Sequence, residues 1–270
     1  MTESSRRPAD PLARAIALGE QALGAEPSGL MTDFDGTLSQ VIGDPKMARL
    51  EDGAGEALAT LADRLAVVAV ITGRAARDAR QLIGVPGVLV VGNHGVEWLE
   101  PGLAEPTAPE LPGVASRLES TLLSVPTPPG VMVERKGLSA TVHYRNATHP
   151  GRARDAILRA LANAPAHDID VREGRMSVEL RPRGLGDKGR AARIIIERHA
   201  LRGVVVLGDD VTDLDMFAAV AELRADGTVR GAIVAVGGQD HEVPAEVSAA
   251  ADVTLRDPAA AVRLLRALAG

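Results

Sequence analysis

The sequence predicts an α/β fold: a doubly wound, mostly parallel Rossmann-like sheet, interrupted by an inserted α+β unit. Three observations carry this prediction. Short apolar runs rich in Val and Ile each end in a polar or Gly cluster, helical segments separate these runs, and the middle of the chain switches to period-two alternation. Uniformly apolar runs suit strands buried on both faces, and strands that alternate with helices imply a parallel sheet covered on both sides.

In chain order, residues 8–25 read as an amphipathic helix with Leu12, Ile16, Leu18 and Leu23 roughly at helical spacing, suited to packing or assembly. The strands are expected in "GLMTDFDG", "RLAVVAVITGR", "GVLVVGNHG", "GVVVLGDDVTD" and "GAIVAVGG". Helices are expected in "LEDGAGEALATLADRL", "AARDARQLIG", "KGRAARIIIERHAL" and "DLDMFAAVAELRA". In the middle, "GVMVERKGLSATVHYRNA" and "HDIDVREGRMSVELRP" alternate around Gly-containing turns as antiparallel hairpins do, and "HPGRARDAILRALANA" between them has helical spacing after a Pro. A hairpin, helix, hairpin unit inside an α/β core reads as an inserted domain. The Pro- and Gly-rich stretches "EPGLAEPTAPELPG" and "RPRGLG" would be its hinges. The expected division is a core of residues 1–103 and 184–270, including the N-terminal helix, and an inserted domain of residues 104–183.

Composition narrows the function. At 270 residues two domains are expected, and 46% hydrophobic residues suffice for a real core. A net charge of −6 argues against a general nucleic-acid or membrane-surface binder, which needs excess Lys and Arg, so an anionic ligand must be met locally. The absence of Cys removes disulfides, thiolate nucleophiles and Cys-based zinc sites. The N-terminus has no sustained apolar region, and no run approaches the roughly 18 apolar residues of a membrane span, so a cytoplasmic protein is expected. No feature specifies an oligomeric state. Of 30 basic residues only Lys46, Lys136 and Lys188 are lysines, which suggests a use for their compact charge.

In parallel sheets ligands sit beyond the carboxyl ends of the strands, and there the layout gathers "DFDGT", "TGR", "NHG" and "GDDVTD". Asp33, Asp35, Asp209, Asp210 and Asp213 would then crowd one pocket and need a hard divalent cation, for which Mg²⁺ with carboxylates, water and substrate phosphate is the natural choice. Opposite stand Thr72, the backbone of Gly73 and Arg74, and Lys188 at a helix start, the parts that bind a phosphate dianion. A metal and a phosphate cradle facing two aspartates point to phosphoryl transfer. Asp33 would attack phosphorus, and Asp35 would protonate the leaving oxygen and later activate water. His94 is expected to line the site beside Asn93, His143 and His149 to be structural, and Arg152, Arg154 and Arg159 to solvate the inserted helix.

A competing motif is "GLGDKG", Gly184 to Gly189, which fits G-x-G-x-x-G and opens a helix, with Asp209 some twenty residues on, in outline a dinucleotide-binding fingerprint. Against it, the preceding "MSVELRP" alternates like a hairpin strand, and "DFDGT" is left unexplained. A nicotinamide-dependent oxidoreductase and a non-catalytic binding protein are thus the rivals from other classes, the latter disfavoured because no expected catalytic residue is missing.

"DFDGT", "ITGR", Lys188 and "GDDVTD" resemble the four motifs of the haloacid dehalogenase (HAD) superfamily of phosphatases, and the insertion resembles a type 2 cap. Within that superfamily, "DFDGTLS", "GNHGVE", "VERKGLSATVHYR", "VELRP" and "GDDVTDLDMF" resemble the trehalose-6-phosphate phosphatases over nearly everything after residue 28. The resemblance implies Mg²⁺-dependent hydrolysis of trehalose 6-phosphate through an aspartyl-phosphate on Asp33, with Asp35 as general acid/base. It implies Mg²⁺ on Asp33, the Asp35 carbonyl and Asp209, with Asp210 and Asp213 supporting the metal shell or orienting Lys188. In the cap, it implies that Glu134, Lys136, Arg145 and Glu179 bind sugar hydroxyls. Phe34, Thr72 where many members have Ser, and Asn93 before His94 are small departures that remove no catalytic group. The nearest alternative is another capped sugar phosphatase, for sucrose phosphate or a mannosyl phosphoglycerate.

Overall fold

The computed structural model describes residues 10–42, 47–109, 113–164, 168–174, 176–184, 187–237 and 243–270. Lys46, residues 110–112 of the first expected hinge, and Leu185 and Gly186 of "GLGDKG" lie outside the described residues.

The chain opens with α1 (Pro11–Leu23), where the Asp10 carboxylate accepts from the Leu12 amide at 3.2 Å. It continues through β1 (Ser28–Thr32), α2 (Ala54–Arg64), β2 (Val67–Ile71), α3 (Ala76–Ile83), β3 (Leu89–Gly92) and β4 (Glu97–Leu99). An excursion follows: α4 (Val114–Leu122), β5 (Met132–Arg135), β6 (Ala140–His143), α5 (Pro150–Ala162), β7 (Ile169–Gly174) and β8 (Ser177–Pro182). The chain then returns with α6 (Lys188–Arg198), β9 (Gly203–Gly208), α7 (Leu214–Ala225), β10 (Arg230–Val236), α8 (Ala245–Ala250), β11 (Val253–Leu255) and α9 (Pro258–Ala269).

Seven strands form one sheet in the order β11-β10-β9-β1-β2-β3-β4, parallel throughout except for the β3–β4 pair. Every residue of β1, β2 and β9 is buried, because both faces are covered. Side chains alternate between the faces. Leu30, Val68, Val70, Val205 and Leu207 pack with α1, α2 and α9, whereas Met31, Ala69, Ile71, Val204 and Val206 pack with α6 and α7. Helix α1, expected to serve packing or assembly, packs on the core: Ala15 and Ala22 enter it, and a Cβ on Gly19 would fall 2.9 Å from Leu268 Cδ2. From β1 the chain builds outward to β2 and β3 on one side and later to β9, β10 and β11 on the other. This reversal opens a crevice at the carboxyl ends of β1 and its neighbours.

The excursion forms a separate antiparallel sheet, β5-β6-β8-β7. One face, with Ala140, Val142, Val178 and Leu180, packs on Leu118 and Leu122 of α4 and Ile157 and Leu161 of α5. The register fixes what the other face carries. Glu134, Thr141, Glu179 and Arg172 stand in one cross-strand row, and Met132, His143, Ser177 and Gly174 in the next. That face looks onto the crevice of the large sheet, since Lys136 Nζ donates to the Gly73 carbonyl at 3.0 Å.

Five elements were not expected: β4, α4, α8, β11 and α9. The structure also disposes of the dinucleotide motif. β8, which precedes it, is an antiparallel strand of the small sheet, whereas the fingerprint requires a parallel strand–helix–strand unit.

Candidate active site

The site grows from the tip of β1. The Asp33 amide donates to the Leu207 carbonyl at 3.0 Å, extending the β1–β9 ladder by one residue and fixing Asp33 at the mouth of the crevice. Phe34 is buried beneath, and its carbonyl accepts from Leu38 at 2.9 Å and Ser39 at 3.0 Å, closing a tight loop. Gly36 sits in that loop at φ +84°, where a Cβ would lie 2.0 Å from Asp209 Oδ2, so only glycine lets the two acidic loops meet. Thr37 Oγ1 donates to Asp209 Oδ1 at 3.2 Å and ties them together.

Lys188, the first residue of α6, is 2% exposed and donates from Nζ to Asp33 Oδ1 at 2.7 Å and Asp213 Oδ1 at 2.6 Å. The other Asp213 oxygen accepts from the Asp209 and Asp210 amides at 3.0 and 3.1 Å, so this buried carboxylate anchors Lys188. Asp210 Oδ1 accepts from the Val211 amide at 2.8 Å and caps the turn leading to α7. Burial raises the Asp33 carboxyl above its ordinary range, Asp213 and Asp35 add to this, and Lys188 opposes it. Burial raises Asp209 strongly too, followed by repulsion from Asp33, Asp213 and Asp210. Burial alone would lower Lys188, but Asp213 and Asp33 more than offset it.

Such crowding suits a divalent cation. Asp33, Asp209 and Asp213 each offer a carboxylate oxygen within 4.8 Å of the others, and this all-oxygen donor set fits Mg²⁺. With Asp213 satisfied by Lys188 and two amides, Asp33 and Asp209 are the carboxylates best placed to ligate directly. The Asp35 side chain lies elsewhere: Arg74 grips it with Nε at 2.7 Å and an Nη at 2.6 Å, while the guanidinium stacks 5.3 Å over the Phe34 ring. Neither the Asp35 nor the Asp210 carboxylate joins this three-carboxylate cluster, although all five aspartates were expected around the metal.

The phosphate side differs in one detail from expectation. The Arg74 amide, expected to be free, donates to Thr72 Oγ1 at 3.2 Å, which leaves the Thr72 hydroxyl proton available to a ligand. Gly73 must be glycine, since a Cβ would lie 2.5 Å from the His94 ring. Asn93 and His94 both adopt positive φ, 47° and 57°, and are buried, so a short left-handed bend brings them under the cap.

From the cap, the Lys136 carbonyl accepts from Asn93 Nδ2 at 3.2 Å, and Ser139 Oγ donates to Asn93 Oδ1. Glu134 Oε2 lies 2.9 Å from His143 Nε2 and 3.6 Å from Lys136 Nζ. Glu179 Oε2 faces His94 Nε2 at 3.3 Å and pairs with Arg181. Burial would raise both acids, but these partners hold Glu134 at about 2 and Glu179 well below its ordinary range. Burial lowers His94 to about 4 against the pull of Glu179.

All these groups converge on one cavity of about 200 Å³. Every site residue expected from the sequence lines it except Asn93 and Asp213, which stand behind Lys136 and Lys188 respectively. Arg145 lines it without a described ion pair. Sequence reasoning missed Thr37, Thr141 and Ser139, and it expected His143 to be structural, whereas His143 lines the cavity. Thr37 belongs to the "DFDGT" loop, and strand alternation places Thr141 and His143 on the face of Glu134.

The trehalose-phosphatase family profile matches residues 31–252, from β1 to the end of α8. The chain belongs to the trehalose-phosphatase family. A trehalose-phosphate phosphatase of Mycobacterium avium is 36% identical over 272 residues, covering 95% of this chain and 66% of the relative. One of Mycobacterium leprae is 37% identical over 221 residues, covering 76% and 50%. The chain thus spans about half to two thirds of the length of these curated relatives. The C-terminal domain of C. albicans trehalose-6-phosphate phosphatase shares the fold with a TM-score of 0.78 at 22% identity, over 99% of both chains. Aspergillus fumigatus trehalose-6-phosphate phosphatase superposes with a TM-score of 0.59 at 25% identity, over 98% of this chain and 99% of that one. The fold is shared with these trehalose-6-phosphate phosphatase structures, an α/β core with a second sheet formed by the excursion between β4 and α6.

Proposed function

We propose that this trehalose-phosphatase hydrolyses trehalose 6-phosphate to trehalose and phosphate, with Mg²⁺ and through an aspartyl-phosphate on Asp33. One observation carries this reading: Asp33, held by Lys188, shares a single cavity with the cap carboxylates Glu134 and Glu179. Phosphate chemistry and sugar recognition thereby face each other.

Asp33 Oδ1 is fixed by Lys188, so the remaining oxygen is free to attack phosphorus. Thr72 and the Gly73 amide receive the phosphoryl oxygens. Asp35 protonates the departing sugar oxygen and then takes a proton from the water that opens the aspartyl-phosphate. For this Arg74 must release Asp35, and an arriving phosphate dianion is a competing partner for that guanidinium. Mg²⁺, held by Asp33, the Asp35 carbonyl and Asp209, would neutralise the crowded carboxylates and the charge on the phosphoryl group. Glu134, Lys136, Arg145 and Glu179 bind the sugar hydroxyls. The same proposal includes the division into a core and a cap at residues 104 and 183, and a cytoplasmic location, which suits a chain without Cys. Among the described residues no helix is long and apolar enough to cross a membrane.

Phosphate release by purified protein from a panel containing trehalose 6-phosphate, sucrose phosphate and a mannosyl phosphoglycerate tests the substrate. Preference for the trehalose ester is expected, and preference for either rival reassigns the enzyme within the capped sugar phosphatases. Activity should vanish in EDTA and return with Mg²⁺; full activity in EDTA would remove the metal from the mechanism.

A further inference from the structure

We propose that His143 is a positioning residue for sugar recognition, fixing one oxygen of Glu134 so that the other is presented to substrate hydroxyls. This rests on Glu134 being a sugar-binding carboxylate. His143 pairs with Met132 across the β5–β6 ladder, so Glu134, two residues along β5, is its diagonal neighbour on the same face. That face forms the roof of the cavity, and His143 lines it. The carboxylate is ionised, with Glu134 held at about 2. It can only accept, so the ring nitrogen 2.9 Å away must donate.

Both described partners of Glu134, His143 Nε2 and Lys136 Nζ, fall on Oε2. Oε1 keeps its lone pairs for a ligand. A carboxylate pinned at one oxygen loses little further freedom when the other accepts a hydroxyl, which favours recognition of a fixed hydroxyl geometry. The arrangement occurs twice. Glu179, in the same cross-strand row beyond Thr141, has Oε2 shared by His94 Nε2 and Arg181. One imidazole comes from the cap and the other from the core, so two carboxylates with prescribed orientations flank Thr141 in one cross-strand row.

The test uses His143→Leu, which removes the donor, and His143→Gln, whose amide can restore it. For each, kcat and KM are measured on whichever sugar phosphate the wild type turns over best and on p-nitrophenyl phosphate, which has no sugar. His143→Leu should lower kcat/KM for the sugar phosphate about tenfold to a hundredfold, mainly through KM, as expected for a lost hydrogen bond to a charged group. The loss on p-nitrophenyl phosphate should be several times smaller. His143→Gln should recover most of the loss. Combining His143→Leu with Glu134→Ala should cost no more than Glu134→Ala alone, because the imidazole acts through that carboxylate. Equal losses on both substrates, or additive losses in the double variant, would overturn the proposal. A wild type whose best substrate is another sugar phosphate would overturn the trehalose assignment alone, since the coupling between His143 and Glu134 is then read on that substrate.

Discussion

Single residues hold this site by charge pairing in a buried place, and each pairing has a measurable cost when broken. Lys188→Met strands Asp33 and Asp213 without their shared cation, and removal of one partner from a buried ion pair costs about 3–5 kcal/mol. Denaturant melts should register that loss together with loss of turnover. Gly36→Ala should impair Mg²⁺ binding and activity, because the new Cβ displaces Asp209; an unchanged Mg²⁺ requirement would contradict the tight approach of the two loops. His94 supplies a pH dependence. Its pKa falls from the ordinary 6.5 to about 4 in the folded protein, so between these values the unfolded chain binds a proton that the folded one does not. Stability should therefore fall as pH drops from about 6.5 toward 4, and calorimetric melts of wild type and His94→Asn should show the slope flattened in the variant. At this scale the gathering of Asp33, Asp35, Thr72 and Asp209 in one cavity was legible, because each follows an apolar strand, and that of Lys188 because it opens a helix. The partner of each was not: nothing in "TGR" says that Arg74 grips Asp35, since that contact joins residues 39 positions apart.

Secondary-structure elements place these residues, and α6 shows how. Its N-cap Asp187 accepts from the Gly189 and Arg190 amides at 2.6 and 3.2 Å, starting the helix at the lysine that must reach Asp33. Asp187→Ala should cost about 1 kcal/mol of stability and lower the melting temperature by a few degrees, with kcat falling because Lys188 is less firmly held. Elements with long apolar or alternating runs were readable from the sequence, as were both cap hairpins. The five that escaped have physical reasons. β4 and β11 are three residues each, too short for periodicity to register. α4 follows the Pro-rich stretch that read as hinge, and α8 is six residues long. α9 carried a signal, Asp257 capping before Pro258, but its Ala-rich turns blur the apolar stripe. Pairing of the two hairpins into one sheet through β6 and β8 was not readable either, since it depends on strands separated by a helix.

For the molecule as a whole, the proposed function rests on the small sheet meeting the rim of the core. Lys136 reaches the Gly73 carbonyl at 3.0 Å and Asn93 holds the Lys136–Ser139 turn, so one short hairpin both closes the cavity and presents Glu134. Lys136→Ala should therefore reduce kcat/KM for the sugar phosphate far more than for p-nitrophenyl phosphate; equal losses would make Lys136 a structural residue only. The proposed chemistry is assigned to the core, at the tip of β1. Phosphate release from trehalose 6-phosphate in Mg²⁺, measured side by side for wild type and Asp33→Asn after circular dichroism has shown both folded, tests this most directly. The wild type should turn over and the variant should release no phosphate; a silent wild type, or a variant working at the wild-type rate, would contradict the assignment of Asp33 as the nucleophile of a trehalose-6-phosphate hydrolase.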